Sequence, residues 1–159
     1  MRGFTLLELL LVIGILAIMS YLAVPISFTF YRSQVVDGAR SELLEVLSRA
    51  RHNAVLQEYD SRYGVYISPS PLNGGALSTY TLYQGNSSTT RNQTYDEVYT
   101  ETPNLTITAT GSTALVAGDI NFSKLVGTTT ATGTITIQYN GATESRSVVI
   151  DSFGNAYRQ

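Results

Sequence analysis

One carboxylate stands out in this sequence by its surroundings. Between Phe4 and Pro25 every side chain is uncharged except Glu8. An acidic side chain in an apolar segment costs a few kcal/mol unless it is paired, so it marks a functional site by default. Two readings are open. Glu8 falls in the first turn of a helix that starts near Phe4, where the positive end of the helix dipole would stabilise it at the level of lipid headgroups. Alternatively, it awaits a cationic partner. The remaining reactive side chains offer less. His52 is the only histidine and there is no cysteine, which excludes a histidine metal cluster, a thiolate site and a disulfide framework. Glu42, Glu45 and Glu58 read as a solvated helix face, His52 as a solvated or packed helix residue, and no Gly-rich phosphate loop is present. The expectation is a protein that is not an enzyme, with no catalytic residue, no cofactor and no metal.

The elements that must position Glu8 emerge from hydropathy. At 159 residues the chain holds one globular domain plus a membrane segment. Phe4 to Pro25, as a helix, would reach roughly 33 Å, enough to cross a hydrocarbon core. A secretory signal peptide is opposed by the single basic residue before the run, Arg2, by the length of the run, and by a poorly formed cleavage site near Tyr21-Leu22-Ala23. Over residues 26–58 the apolar positions Val36, Ala39, Leu43, Leu47, Ala50 and Ala54 recur at spacings of three and four, the period of an amphipathic helix. Glu45 and Arg49 stand at i and i+4, as do Glu58 and Arg62. Pro25 removes a helix hydrogen bond and Gly38 costs about 1 kcal/mol relative to Ala, so a kink or a local melt is expected at these points. One helix of roughly 80 Å, from Phe4 to about Glu58, is the expected spine.

Beyond Tyr59 the period changes to two. Tyr63-Gly-Val-Tyr-Ile67, Ser78-Thr-Tyr-Thr-Leu-Tyr83, Asn104-Leu-Thr-Ile-Thr-Ala-Thr110, Gly133-Thr-Ile-Thr-Ile-Gln-Tyr139 and Ser145-Arg-Ser-Val-Val-Ile150 read as strands. Asn140-Gly141 signals a two-residue hairpin between the last two. Pro69 to Gly75 and Gly85 to Gln93 read as loops, the second too polar to pack. The helix stripe is expected to cover one face of an antiparallel sheet.

The stretch Gly3-Phe4-Thr5-Leu6-Leu7-Glu8 resembles the processing site of type IV prepilins and type II secretion pseudopilins: Gly before the cut, Phe after it, and Glu as the fifth residue of the mature chain. Pro25 matches that family's proline toward the end of the membrane segment. The resemblance implies that a prepilin peptidase cleaves between Gly3 and Phe4, that the leader is residues 1–3, and that the new amino terminus on Phe4 is methylated. It implies that the Glu8 carboxylate of one subunit neutralises the Phe4 amine of its neighbour inside an apolar bundle. At about 4 Å such a pair is worth roughly 4 kcal/mol at an effective dielectric near 20, against several kcal/mol of desolvation for each ion, so its yield is register rather than net stability. Leu47-Ser-Arg-Ala-Arg-His-Asn-Ala-Val55, Ile120-Asn-Phe-Ser-Lys-Leu-Val-Gly127 and Arg146-Ser-Val-Val-Ile-Asp-Ser-Phe-Gly154 are similar to the pattern of H-type minor pseudopilins and FimT-like minor pilins.

The fold implied is α+β and pilin-like: a long N-terminal helix, membrane-spanning in its first half and amphipathic in its second, packed on an antiparallel β-sheet domain. Residues 4–25 would be the membrane and assembly segment, 26–58 the amphipathic helix, and 59–159 the soluble β-rich domain. The function implied is that of a structural subunit of a type IV pilus or a type II secretion pseudopilus, minor in preference to major. Its partners would be the prepilin peptidase, other pilin or pseudopilin subunits, the inner-membrane assembly platform, and membrane lipid before assembly. The place implied is the bacterial inner membrane, single-pass, with the soluble domain outside the cytoplasm, and then the filament. A DNA-capturing minor pilin is the alternative. It is disfavoured because Arg40, Arg49, Arg51, Arg146 and Arg158 are scattered and acids balance them, giving a net charge of -2.

Overall fold

Residues 4–68, 79–100 and 104–159 are described by the computed structural model, without the side chains of 22–27. The chain falls into two units, Met1–Gln34 and Val35–Gln159. One helix, α1 (Leu6–Val55), contributes to both.

Within the second unit the helix period expected from the sequence is the one observed. Val36, Ala39, Leu43, Leu47, Ala50 and Ala54 are all buried, and Val46 joins them on the same stripe. They share a core with Val65, Tyr80, Ile120, Phe122, Ile135, Ile137, Val148 and Ile150. Alternation along the strands selects these residues, because every second side chain points to the same face. The strands are β1 (Tyr63–Ser68), β2 (Thr79–Gln84), β3 (Glu97–Thr100), β4 (Leu105–Gly111), β5 (Asp119–Phe122), β6 (Gly133–Tyr139), β7 (Ser145–Ile150) and β8 (Ala156–Arg158), with a four-residue helix, α2 (Thr113–Val116), between β4 and β5. Among the described residues they form two four-stranded antiparallel sheets, ordered β3-β2-β1-β5 and β4-β6-β7-β8.

Two parts of the expected fold are corrected. The single sheet is two, because β5 returns to pair with β1 (Val65 opposite Ile120) and separates the first group of strands from the second. The membrane-spanning first half is also overturned: among the described residues no helix is long and apolar enough to cross a membrane. An α+β architecture with a helix at its N-terminal end is what stands.

Smaller differences have local causes. The helix ends at Val55, short of Glu58, because Gln57 turns left-handed (φ 54°) and Glu58–Asp60 forms a separate 3-10 turn. Gly38 does not interrupt α1, and Pro25 also lies within it, so neither melts the helix; the side chain of Pro25 is outside the described residues. Arg49 does not select Glu45. It reaches Glu97 on β3 at 2.9 Å and donates to the Tyr99 hydroxyl at 3.0 Å, two partners in place of one. The Asn140-Gly141 turn is not a two-residue hairpin. Gly141 takes φ 74° while Asn140 does not enter the left-handed region, and the Ala142 amide bonds back to the Tyr139 carbonyl at 3.1 Å. A two-residue type I′ turn needs positive φ at both central positions, so the strands close further out, with Gln138 opposite Ser145.

The segment after Gly85 does pack, contrary to expectation. Ser88 is buried, and the Asp119 carboxylate holds it by the Ser88 amide at 3.0 Å and the Ser88 hydroxyl at 3.1 Å. The other Asp119 oxygen accepts from the Tyr83 hydroxyl, and Asn121 Nδ2 donates to the Gly85 carbonyl at 2.9 Å. This segment therefore covers the outer face of the first sheet, and Tyr80, Thr81, Leu82 and Tyr83 of β2 are buried in succession. Gly64 lies opposite Tyr83 in the ladder, and a Cβ there would meet the tyrosine ring at 2.5 Å, so glycine makes room for it. Burial and the bond to Asp119 push the Tyr83 hydroxyl well above the usual tyrosine range. The Pro69 to Gly75 loop and the Met1-Arg2-Gly3 leader lie outside the described residues.

Candidate functional site

The environment of Glu8 is set by Thr5. The Thr5 hydroxyl accepts from the Glu8 amide at 3.3 Å, and the Thr5 carbonyl accepts from the Glu8 amide at 3.1 Å and the Leu9 amide at 3.2 Å. Thr5 is thus the N-cap of α1, and Glu8 stands at the third helical position, the spacing of a capping box. An acid there also meets the positive end of the helix dipole. The Thr5-x-x-Glu8 spacing is visible in the sequence, although the reading of Glu8 as an ion-pair partner makes no use of it. The carboxylate itself makes no hydrogen bond or ion pair among the described residues.

Beyond Glu8 the helix is apolar and uncovered. Phe4 is 79 % exposed, Leu6 81 %, and the side chains from Leu7 to Tyr21 are exposed too. A helix that is apolar on every face needs cover from elsewhere. The first unit supplies none among its described side chains from Phe4 to Tyr21. Of the residues singled out for processing and assembly, Phe4 and Glu8 are described and lie one turn apart at the exposed start of α1. Gly3 lies outside the described residues.

The second unit places its charged groups differently. Arg146 reaches both oxygens of Asp37, at 3.0 and 3.2 Å, and Arg40 shares Asp37 at 2.7 Å, which ties β7 to α1. Arg91 pairs with Asp96 at 2.7 Å and Lys124 with Asp60 at 2.8 Å. The Lys124 ammonium, through its hydrogen bond and its charge, holds the Asp60 carboxyl below the usual range, and hydrogen bonds from the Asn155 side chain and backbone do the same for Asp151.

Arg51 differs from these arginines. Its Nε donates to the Gly127 carbonyl at 3.3 Å, and among the described residues no carboxylate lies within ion-pair distance. With Ser48, His52, Val55 and Val126 it lines a groove of about 310 Å³. Ser48, Arg51, His52 and Val55 obey the i, i+3, i+4, i+7 rule and so share one face of the last turns of α1. His52 is exposed, at the edge of this groove, as a solvated helix residue would be. The groove itself has no signature in the sequence, since its far wall comes from the segment after β5. Among the described residues no group of three or more His, Cys, Asp or Glu side chains could hold a metal ion. Comparison with protein-family models, with curated proteins and with solved structures finds no match for this chain.

Proposed function

We propose that the chain is a structural subunit of a type IV pilus or type II secretion pseudopilus, a minor subunit in preference to a major one, cut by a prepilin peptidase between Gly3 and Phe4 and N-methylated on Phe4. The observation that carries this reading is the exposed apolar start of α1 with one carboxylate, Glu8, lacking a partner within the described chain. A helix bundle made of neighbouring subunits supplies both missing things at once: apolar cover for Leu6 to Tyr21, and the Phe4 amine of the next subunit for Glu8. The partners are then the peptidase, other pilin or pseudopilin subunits and the assembly platform at the bacterial inner membrane, where the chain is held among lipid before it enters the filament. Its β-rich unit lies outside the cytoplasm.

Capture of DNA is the less favoured reading. Arg40, Arg49, Arg91, Arg146 and Lys124 each have a carboxylate partner, so few cations are left to displace the counterions of a polyphosphate. Processing is the first test. Gly3→Val crowds the residue before the cut, and the variant is expected to keep its leader, whereas the wild-type chain begins at methylated Phe4. Identical mature masses for the two proteins by mass spectrometry of membranes would overturn the proposal.

A further inference from the structure

The turn that joins β6 to β7 stands outside the ladder, whose last paired residues are Gln138 and Ser145. Backbone bonds fix its shape: the Tyr139 amide donates to the Glu144 carbonyl at 3.1 Å, and the Asn140 amide to the Asn104 carbonyl, just ahead of β4, at 2.8 Å. Its tip is open. Asn140 and Gly141 are both exposed, Gly141 takes φ 74°, and a Cβ on Gly141 would meet nothing within 4 Å. The Asn140 side chain is held at a single atom, Oδ1, which accepts from the Thr106 hydroxyl of β4. Among the described residues neither Asn140 Nδ2 nor the Gly141 amide has a hydrogen-bond partner.

These are the parts of a reaction within the chain. Asparagine is a thermolabile residue because the next residue's amide nitrogen can attack its side-chain carbonyl carbon, and nucleophile and electrophile are already joined. An amide held in a ladder is not available for this, and a side chain on the following residue crowds the attack. Gly141 imposes neither obstacle. The Thr106 hydroxyl is aimed at Oδ1, the atom on which negative charge develops as the nitrogen adds, so it stabilises that charge. Other described asparagines are placed differently. Asn121 Nδ2 donates to the Tyr83 hydroxyl at 3.2 Å and the Gly85 carbonyl at 2.9 Å, and Asn155 Nδ2 to Asp151 at 3.0 Å. Phe122 and Ala156 follow them, each with a side chain in the way. A second Asn-Gly pair, Asn73-Gly74, lies outside the described residues.

We infer that Asn140 is a site of self-modification in the folded chain, converting to aspartate and isoaspartate through a cyclic imide with Gly141. Solvent hydroxide takes the Gly141 amide proton, the nitrogen bonds to Asn140 Cγ, and the Cγ–Nδ2 bond breaks to release ammonia. Water then opens the imide. Breaking the new N–Cγ bond leaves aspartate, and breaking the bond from that nitrogen to the Asn140 backbone carbonyl carbon leaves isoaspartate, with an extra methylene in the turn. Either product adds one negative charge to the chain's -2. The inference stands apart from the filament reading. It is tested by incubating the full folded chain at neutral pH in heavy-oxygen water and reading the tryptic peptide 125–146, whose one asparagine is Asn140, by mass spectrometry with fragmentation. Residue 140 is expected to exchange its amide for a hydroxyl carrying heavy oxygen, with part of the product a substrate for an isoaspartyl methyltransferase, while Asn121 and Asn155 stay intact. Gly141→Ala is expected to slow the conversion about tenfold or more. Thr106→Val, which leaves the turn's own residues in place, is expected to slow it by less and serves if Gly141→Ala does not fold. A folded chain that keeps Asn140 while the urea-unfolded chain converts it would overturn the inference, as would equal rates in the wild type and both variants.

Discussion

Between Val36 and Ala54, α1 buries seven apolar side chains against two sheets; between Leu6 and Tyr21, the same helix leaves its leucines and isoleucines more than two-fifths exposed. The hydrophobic effect acts equally on both stretches. What differs is pattern. The second stretch alternates apolar and polar residues at helical spacing, so a single covered face satisfies it and the opposite face can carry Glu45, Ser48 and Arg49. The first stretch is apolar on all sides, so no single covered face can satisfy it. One helix therefore runs from a stretch that no described side chain of its own unit covers to a stretch buried within its own unit.

That contrast can be broken most severely at Leu43. Leu43→Ala opens a cavity under α1 and is expected to cost about 2–5 kcal/mol in chemical denaturation of the β-rich unit. Leu10→Ala, in the first stretch, is expected to change the same transition by less than about 0.5 kcal/mol. Equal losses would mean that the exposed stretch is in fact part of the core.

Asp119→Ala should come next. It takes the acceptor from the buried Tyr83 hydroxyl, which keeps only the bond from Asn121 Nδ2, and orphans the Ser88 amide and hydroxyl, at about 1–3 kcal/mol for each group left without a partner. Limited proteolysis should then cut between Gly85 and Arg91, where the wild-type chain resists. If the variant resists equally, Asp119 does not hold that segment on the sheet.

The same network gives a pH dependence. Tyr83 has its pKa raised above 10.0 in the folded chain. Its contribution is therefore complete below the unfolded value and is lost as pH rises from there through the folded one. Burial raises the Tyr63 and Tyr99 hydroxyls in the same direction. Stability measured by urea unfolding is expected to fall as pH rises above about 10, roughly the ordinary tyrosine value, and to fall less steeply in Tyr83→Phe. Parallel slopes for the two proteins would contradict this. Thr5→Ala should have the smallest effect. Loss of the cap frays the first turn by about 0.5–2 kcal/mol, read as faster hydrogen exchange at the Leu7 to Leu10 amides with the β-rich unit unchanged.

The same physics decides what could be read in advance. The buried stripe of α1 and the strands β1, β2, β4, β6 and β7 were legible because each is long enough to show its period. Strands β3, β5 and β8 run only three or four residues, too few for alternation to stand out. The polar segment after Gly85 looks unpackable in the sequence because its partner, Asp119, lies 31 residues further on from Ser88. Glu8 was legible as a charge out of place. The Arg51 groove was not, since Gly127, which closes on Arg51, is 76 residues away in the chain. Periodicity reports burial along one element; tertiary hydrogen bonds between distant loops leave no local trace.

The central claim is that Glu8 serves assembly and not the helix end alone, and two substitutions at this one position separate these roles. Glu8→Gln keeps a side chain suited to the third position of a capping box but removes the charge, while Glu8→Val removes both. An unpaired buried charge costs about 3–5 kcal/mol, so both variants are expected to enter filaments about two to four decades less than wild type, at equal levels of processed protein. The measurement is the amount of each variant that co-purifies with sheared filament subunits. Glu8→Gln entering filaments at the wild-type level would show that Glu8 is a capping residue, and the account of assembly through it would be wrong.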